Sequence, residues 1–178
     1  MQSAVPKIGK KGFIAPTAYV GGDVILGDDV TVLHHVAIRG DVARITVGAR
    51  VNIQDGAVLH TRHGVPLEIA DDVVIGHRAV VHCLRVGSRS LIGIGAIVLD
   101  NAEIGENCII AAGSVVPPET IIPENSLVMG IPGRITRFTT EADLSTIDEV
   151  VGRYVELGRA HAAGKYPNIV PPNANLPL

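Results

Sequence analysis

An aliphatic residue returns at every sixth place along most of this chain, a period that neither a helix nor an alternating strand produces. It recurs at Ile14, Val20, Leu26, Val32 and Ile38, again at Val47, Ile53 and Leu59, and again at Ile69, Ile75 and Val81. From Val86 it runs without a slip through Ile92, Val98, Ile104, Ile110, Val116 and Ile122 to Val128. Four places after most of these lies a small or β-branched residue, among them Val36, Ala57, Ala79, Ala96 and Cys108, and the place directly after is often Gly. Six residues suit a backbone that runs two or three extended residues, turns, and repeats. Three such units close a triangular coil, with the aliphatic and the small residue facing inward and Gly, Asn or Asp accepting the turn. Coils then stack at strand spacing, about 4.8 Å, and no coil is stable alone. The expected fold is all-β, a parallel β-helix built as a triangular prism of hexapeptide coils. The general rule for parallel crossovers favours a right-handed path.

Apolar residues make up 47% of the chain and aromatics 3%, so the core has to be packed from Val, Ile, Leu and Ala, as many short similar units allow. A formal charge of −3 gives no electrostatic reason to expect nucleic acid or an anionic membrane as partner. No apolar run reaches signal-peptide or transmembrane length, and the expectation is a soluble, cytoplasmic protein. Cys83 and Cys108 are too few for a disulfide framework, and Cys108 occupies a small inward place of the repeat. The repeat ends after Val128 at the turn-rich Met129-Gly130-Ile131-Pro132-Gly133. Thr140 to Asp143 then reads as a capping box, and Leu144, Ile147, Val151 and Tyr154 mark the apolar face of a helix that ends near Gly164 and covers a flank or an end of the prism. The expected division is 1–135 for the β-helix and 136–178 for the helix and a proline-rich, irregular tail from Tyr166 to Leu178.

The period slips in three places, between Ile38 and Val47, between Leu59 and Ile69, and between Val81 and Val86. Each slip adjoins Arg39 and Asp41, His60, or His82, and local rules tend to break near functional sites. If insertions only lengthen a corner, hexads can be counted in place of residues. Three hexads separate Ile38 from Leu59, and three more separate Leu59 from Val81. Arg39, His60 and His82 therefore form a column, one coil apart, and the two histidines become neighbours that a single metal ion can join. His77 lies on an adjacent face, above Gln54 and Asp55, with His34 beneath those, and does not reach the same ion within one chain. A ring of three chains, joined by a heterologous contact, would let one chain complete the site of the next, and zinc in catalytic sites takes three protein ligands and a water. His35 and His161 read as ordinary surface residues. His34 lacks a partner motif, and His63 is a candidate proton relay in the loop beside His60.

These residues carry a family likeness. Ile38-Arg-Gly-Asp41, Asn52-Ile-Gln-Asp-Gly56, Leu59-His60, Ile75-Gly-His77, Val81-His82, the Gly-Ile-Pro-Gly exit at 130–133 and Tyr154-Val-Glu-Leu157 together resemble a γ-class carbonic anhydrase-like protein of the left-handed β-helix, hexapeptide-repeat superfamily. The resemblance implies a left-handed prism with a C-terminal helix, and a homotrimer with metal at the subunit interfaces. It implies zinc, with iron(II) or cobalt(II) as substitutes, held by His60 and His82 of one subunit and His77 of the next. It also implies that Gln54 orients the bound water or bicarbonate, that Asn52 holds Gln54, that Arg39, Asp41 and Asp55 form an ionic network across the interface, and that Tyr154 lies at the mouth. The implied reaction is reversible hydration of carbon dioxide. Two departures stand out. The loop Thr61-Arg-His-Gly-Val-Pro66 has no carboxylate until Glu68, where active members carry an acidic proton-transfer loop, and Cys83-Leu84 follows His82 where Gly-Cys is usual. Both leave metal binding in place and bear on turnover, since each hydration cycle must export a proton. Two other readings share the scaffold, an acyl-CoA-dependent acyltransferase or thioesterase using the groove between prisms, and a non-catalytic trimer with metal at its interfaces.

Overall fold

The computed structural model describes residues 4–167. The expected tail lies outside these residues from 168 onward. Short strands follow one another at the spacing of the repeat: β1 Lys7–Ile8, β2 Phe13–Ile14, β3 Tyr19–Leu26, β4 Thr31–Val32, β5 Ala37–Val47, β6 Asn52–Ile53, β7 Val58–Leu59, β8 Leu67–Ile69, β9 Val74–Ile75 and β10 Val80–Val81. They continue as β11 Arg85–Val86, β12 Leu91–Ile92, β13 Ile97–Val98, β14 Glu103–Ile104, β15 Ile109–Ile110, β16 Val115–Val116, β17 Ile121–Ile122, β18 Ser126–Met129 and β19 Arg134–Phe138, before helix α1, Glu141–Ala162.

The chain winds as a left-handed parallel β-helix of about seven turns, opposite in hand to the general crossover rule and in agreement with the family likeness. Face one stacks the first halves of β3 and β5 with β7, β10, β13 and β16, and face two stacks β1, the second halves of β3 and β5, and then β8, β11, β14 and β17. Face three runs β2, β4, β6, β9, β12, β15, β18. The register is the hexad register, with Ile38 opposite Leu59, Leu59 opposite Val81, and Ile53 opposite Ile75. From Leu26 to Val128 every aliphatic of the repeat is buried, and so are Val36, Ala57, Ala79, Ala96 and Cys108.

The glycines after the aliphatics serve a different purpose from the one expected. Gly27, Gly76 and Gly93 do not have positive φ. A Cβ on Gly76 would stand 2.7 Å from the Ile94 backbone nitrogen, and one on Gly93 would stand 2.5 Å from that of Ala112. Adjacent coils pass too closely there for any side chain. The left-handed corner positions are held by residues such as Asp29, His35, Arg50, Arg78, Asn101 and Asn107, and by other glycines, Gly56, Gly95 and Gly113. The first slip also differs from a simple loop. β5 runs continuously round the corner between faces one and two, and Gly21 and Gly22 of β3 pair beneath it with Arg39 and Gly40. Gly22 has a φ of 83°, and a Cβ there would meet the Gly40 carbonyl at 2.3 Å. The second insertion stacks on this excursion, with Gly64 N–H donating to the Val42 carbonyl at 3.1 Å.

Helix α1 lies along face three against β2, β4, β6 and β9. Both halves of the Thr140–Asp143 capping box are formed, and Leu144, Ile147 and Val151 pack on Val74, Leu91 and Ile109. Close approach again selects glycine. A Cβ at Gly158 would stand 2.3 Å from Thr31 Oγ1, which donates to the Tyr154 carbonyl at 3.0 Å. Ion pairs pin the helix along its length, Arg89 to Asp148 at 2.6 Å and Arg159 to Asp29 at 3.0 Å. Among the described residues no helix is long and apolar enough to cross a membrane.

Two outcomes follow for stability. Ile92→Ala, in the centre of the prism, is expected to cost about 2–5 kcal/mol in urea unfolding, whereas Ile94→Ala, 58% exposed, stays within about 0.5 kcal/mol. The Arg89 guanidinium holds the Asp148 carboxyl below the usual carboxylate range. Its stabilising effect is therefore present at neutral pH and lost as pH falls through the folded-state pKa. Asp148→Asn should lower the melting temperature at pH 7, and the difference from wild type should vanish in strong acid.

Candidate metal centre

Two corners of the prism carry the polar residues singled out by the repeat. The corner between faces one and two follows β5, β7 and β10 and holds Arg39, Asp41, His60 and His82. The corner between faces three and one follows β6 and β9 and holds Gln54, Asp55 and His77. Face one lies between them.

At the first corner the register places His82 directly above His60. Their rings are 5.2 Å apart, and His60 Nδ1 faces His82 Nε2 at 3.2 Å. Two nitrogens bonded at 2.0–2.1 Å to one tetrahedral ion lie about 3.3 Å from each other, so this donor pair fits a single zinc-type ion. Each ring is held from its far side by a carboxylate. Asp41 Oδ1 lies 3.0 Å from His60 Nε2, and Asp100 Oδ1 contacts His82 Nδ1. Carboxylates behind imidazoles are the usual support of metal-binding histidines, fixing the ring and raising its basicity. Asp41 is also the acceptor of Arg39 Nη1 at 2.6 Å, and that guanidinium, ahead of His60, holds the Asp41 carboxyl below its ordinary range. Cys83 follows His82 but turns into the core, where burial pushes its thiol up to about 12, so it offers no thiolate at neutral pH. His63 is exposed in the neighbouring loop.

At the second corner His77 Nδ1 lies 3.0 Å from Asp55 Oδ2. Gln54 is 5% exposed, and its Nε2 donates to Asn52 Oδ1 at 3.0 Å. Asn52 Nδ2 is buried without a partner among the described residues. Tyr154, on α1, joins Gln54 and His77 in lining an open cleft of about 450 Å³, whose floor is Leu91, Ile109 and Ala111. Burial pushes the Tyr154 phenol up. His34 continues this corner downward, its backbone N–H donating to Asp55 Oδ1 at 3.3 Å, and its ring contacts Thr17 at 2.9 Å and faces His161 at 6.2 Å. His161 is stacked on Phe13 at 4.9 Å and so belongs to the docking of the helix end.

The structure thus brings together His60, His82, Arg39 and Asp41 at one corner, and Gln54, Asn52, Asp55, His77 and Tyr154 at or beside the other. Arg39 and Asp55 do not meet within one chain. Among the described residues of a single chain no group of three or more His, Cys, Asp or Glu side chains is arranged to hold a metal ion. The two sets of polar residues stay on separate corners of the chain. Asp100 escaped the sequence reading, although the hexad count that stacked His82 on His60 also puts Leu99 above His82 and Asp100 in the turn beyond.

A left-handed prism of this kind defines the hexapeptide-repeat proteins, and residues 84–118 match the family model described as bacterial transferase hexapeptide (six repeats). The chain is similar to a carbonic anhydrase of Geobacillus kaustophilus (strain HTA426), 42% identical over 158 residues that cover 89% of this chain and 87% of the relative. It is similar to a probable carbonic anhydrase of Methanocaldococcus jannaschii, 46% identical over 150 residues that cover 84% of this chain and 94% of that one. A Bacillus cereus crystal structure provisionally described as an acetyltransferase superposes with a TM-score of 0.88 at 38% identity, over 91% of this chain and 94% of that one. The chain belongs to the γ-class carbonic anhydrase-like family of hexapeptide-repeat proteins.

His60→Ala and His82→Ala are each expected to abolish stoichiometric zinc or cobalt binding in equilibrium dialysis. His161→Ala and His35→Ala should leave it unchanged.

Proposed function

We propose that this protein is a homotrimeric metalloenzyme that hydrates carbon dioxide reversibly to bicarbonate, with a zinc-type ion held by His60 and His82 of one subunit and His77 of the partner subunit. The observation that carries this reading is the facing pair of nitrogens of His60 and His82 at 3.2 Å, with the third histidine on a different corner of the same prism. A two-corner distribution becomes one site when the first corner of each subunit meets the second corner of the next, which is a heterologous contact that threefold symmetry closes. The relatives named carbonic anhydrase support the reaction.

A bound divalent ion supplies a nucleophile for the carbon of carbon dioxide at neutral pH by lowering the pKa of water to about 7, a magnitude for which carbonic anhydrase is itself the reference case. This chain's own residues do the rest. His60, His82 and His77 bind and their carboxylate partners keep the rings in place. Gln54, fixed by Asn52, turns its amide toward an oxygen of the substrate. Arg39 with Asp41 on one corner and Asp55 on the other bring the two half-sites together by ion pairing. Tyr154 and the apolar floor of the cleft keep bulk water from the reacting side. The loop Thr61–Pro66 offers no carboxylate for proton export, which makes turnover slow.

A second reading is favoured by the cleft beside His77. Its volume of about 450 Å³ lies in the range of sites for larger organic ligands, and the Bacillus cereus neighbour carries a transferase description. In that reading an acyl-CoA is the substrate, as acyltransferase or thioesterase. Failing both activities, the ion serves only to hold the trimer.

The decisive variants are His60→Ala and His77→Ala. Each alone is expected to bind no zinc and to lack carbon dioxide hydration, and subunits of the two mixed into one trimer should recover part of both. A mixed trimer that recovers neither contradicts a shared site. Gln54→Ala should keep the metal and lose on the order of 10–100-fold in kcat/KM. Turnover of acyl-CoA by metal-free protein, with no carbon dioxide hydration by the loaded one, would favour the second reading.

A further inference from the structure

The facing nitrogens of His60 and His82 accept one ion only if neither carries a hydrogen, and nothing within an isolated imidazole fixes which nitrogen does. His60 is held by a carboxylate that Arg39 shares. His82 is held differently. The His82 backbone N–H donates to the Val98 carbonyl at 2.9 Å, so Leu99 stacks over it and the corner residue Asp100 follows, with Asn101 turning the chain at a φ of 56°. From that corner Asp100 Oδ1 reaches back to His82 Nδ1. Among the described residues Asp100 has no ion-pair partner besides His82.

We propose that Asp100 is the positioning residue of His82, holding the hydrogen on Nδ1 so that Nε2 is presented as a lone pair beside His60. An ionised carboxylate only accepts hydrogen bonds, so the imidazole nitrogen it faces must be the donor and the opposite nitrogen the free one. Without Asp100 the ring can put its hydrogen on Nε2, where it occupies the ligand position, and can rotate away from His60. The half-exposed carboxylate, 41% accessible, has no part in the core. The corner's backbone bond, Glu119 N–H to the Asp100 carbonyl at 2.8 Å, does not involve the side chain. The dependence of metal affinity on Asp100 rests on the metal reading above, whereas the tautomer of His82 does not.

The test uses the full-length protein and two readouts. Nitrogen-15 NMR of the metal-free protein at pH 8, with the His82 signals assigned by comparison with His82→Gln, reports which ring nitrogen bears the hydrogen. Competition with a chelating dye reports zinc affinity. Wild type is expected to show His82 hydrogenated on Nδ1. Asp100→Ala should lose that preference and bind zinc about 10–100-fold more weakly, with an unchanged melting temperature of the metal-free protein. Asp100→Asn retains an acceptor oxygen without the charge, and should keep the tautomer with an intermediate loss of affinity. An Asp100→Ala variant that keeps the Nδ1 tautomer, or that binds zinc as tightly as wild type does, overturns the inference. If wild type binds no zinc, the metal reading falls, and the tautomer measurement alone decides the role of Asp100.

Discussion

Backbone hydrogen bonding between successive coils is the constraint from which the rest follows. Each coil lends its strand edges to the one above, as in the bonds from Ala37 to Ala57, Val58 to Ala79 and Val80 to Ala96 on face one. Because the partner is always three hexads away, distance along the sequence becomes height along the prism, and residues with the same place in the repeat are stacked. This is why glycine is needed at Gly27, Gly76 and Gly93, where coils touch, and why the core is filled by aliphatics of nearly constant size. A side chain that leaves the core at a corner inherits a fixed neighbour above and below.

The same constraint gives the candidate site its form. A flat-sided prism keeps its corners apart, so residues placed on different corners do not meet within one chain. His60, His82 and Asp100 are stacked on one corner, and Gln54, Asp55 and His77 are gathered on another. The first set is a pair of facing imidazole nitrogens, each ring backed by a carboxylate, and the second is an imidazole on Asp55 beside an amide fixed by Asn52 and an apolar cleft.

Much of this was legible in the sequence, because stacking turns counting into geometry. The column of Arg39, His60 and His82, the separate position of His77 over Asp55, and the helix with its Thr140–Asp143 cap were all readable before the fold was seen. What escaped has physical causes. Gly, Asn and Asp do turn corners, as at Gly56, Gly95, Asp29 and Asn101, but so do His35 and Arg78, and the glycines directly after the aliphatics instead relieve contact between coils. Spacing alone treats the insertion after Ile38 as a lengthened corner and does not show that β5 continues through it, paired with Gly21 and Gly22 of β3. Handedness is not encoded in a spacing, so only the family likeness supplied it. Asp100 was missed because the reading followed histidines and stopped counting one coil too soon.

The central claim is that one ion joins two prisms. Crystals of zinc-loaded protein, with diffraction recorded on both sides of the zinc absorption edge, locate the metal directly by its anomalous signal. The account predicts one peak per subunit, lying between His60 and His82 of one chain and His77 of the partner subunit, with no comparable peak elsewhere. A peak whose ligands all come from one chain, or an interface in which these two corners do not meet, would contradict it.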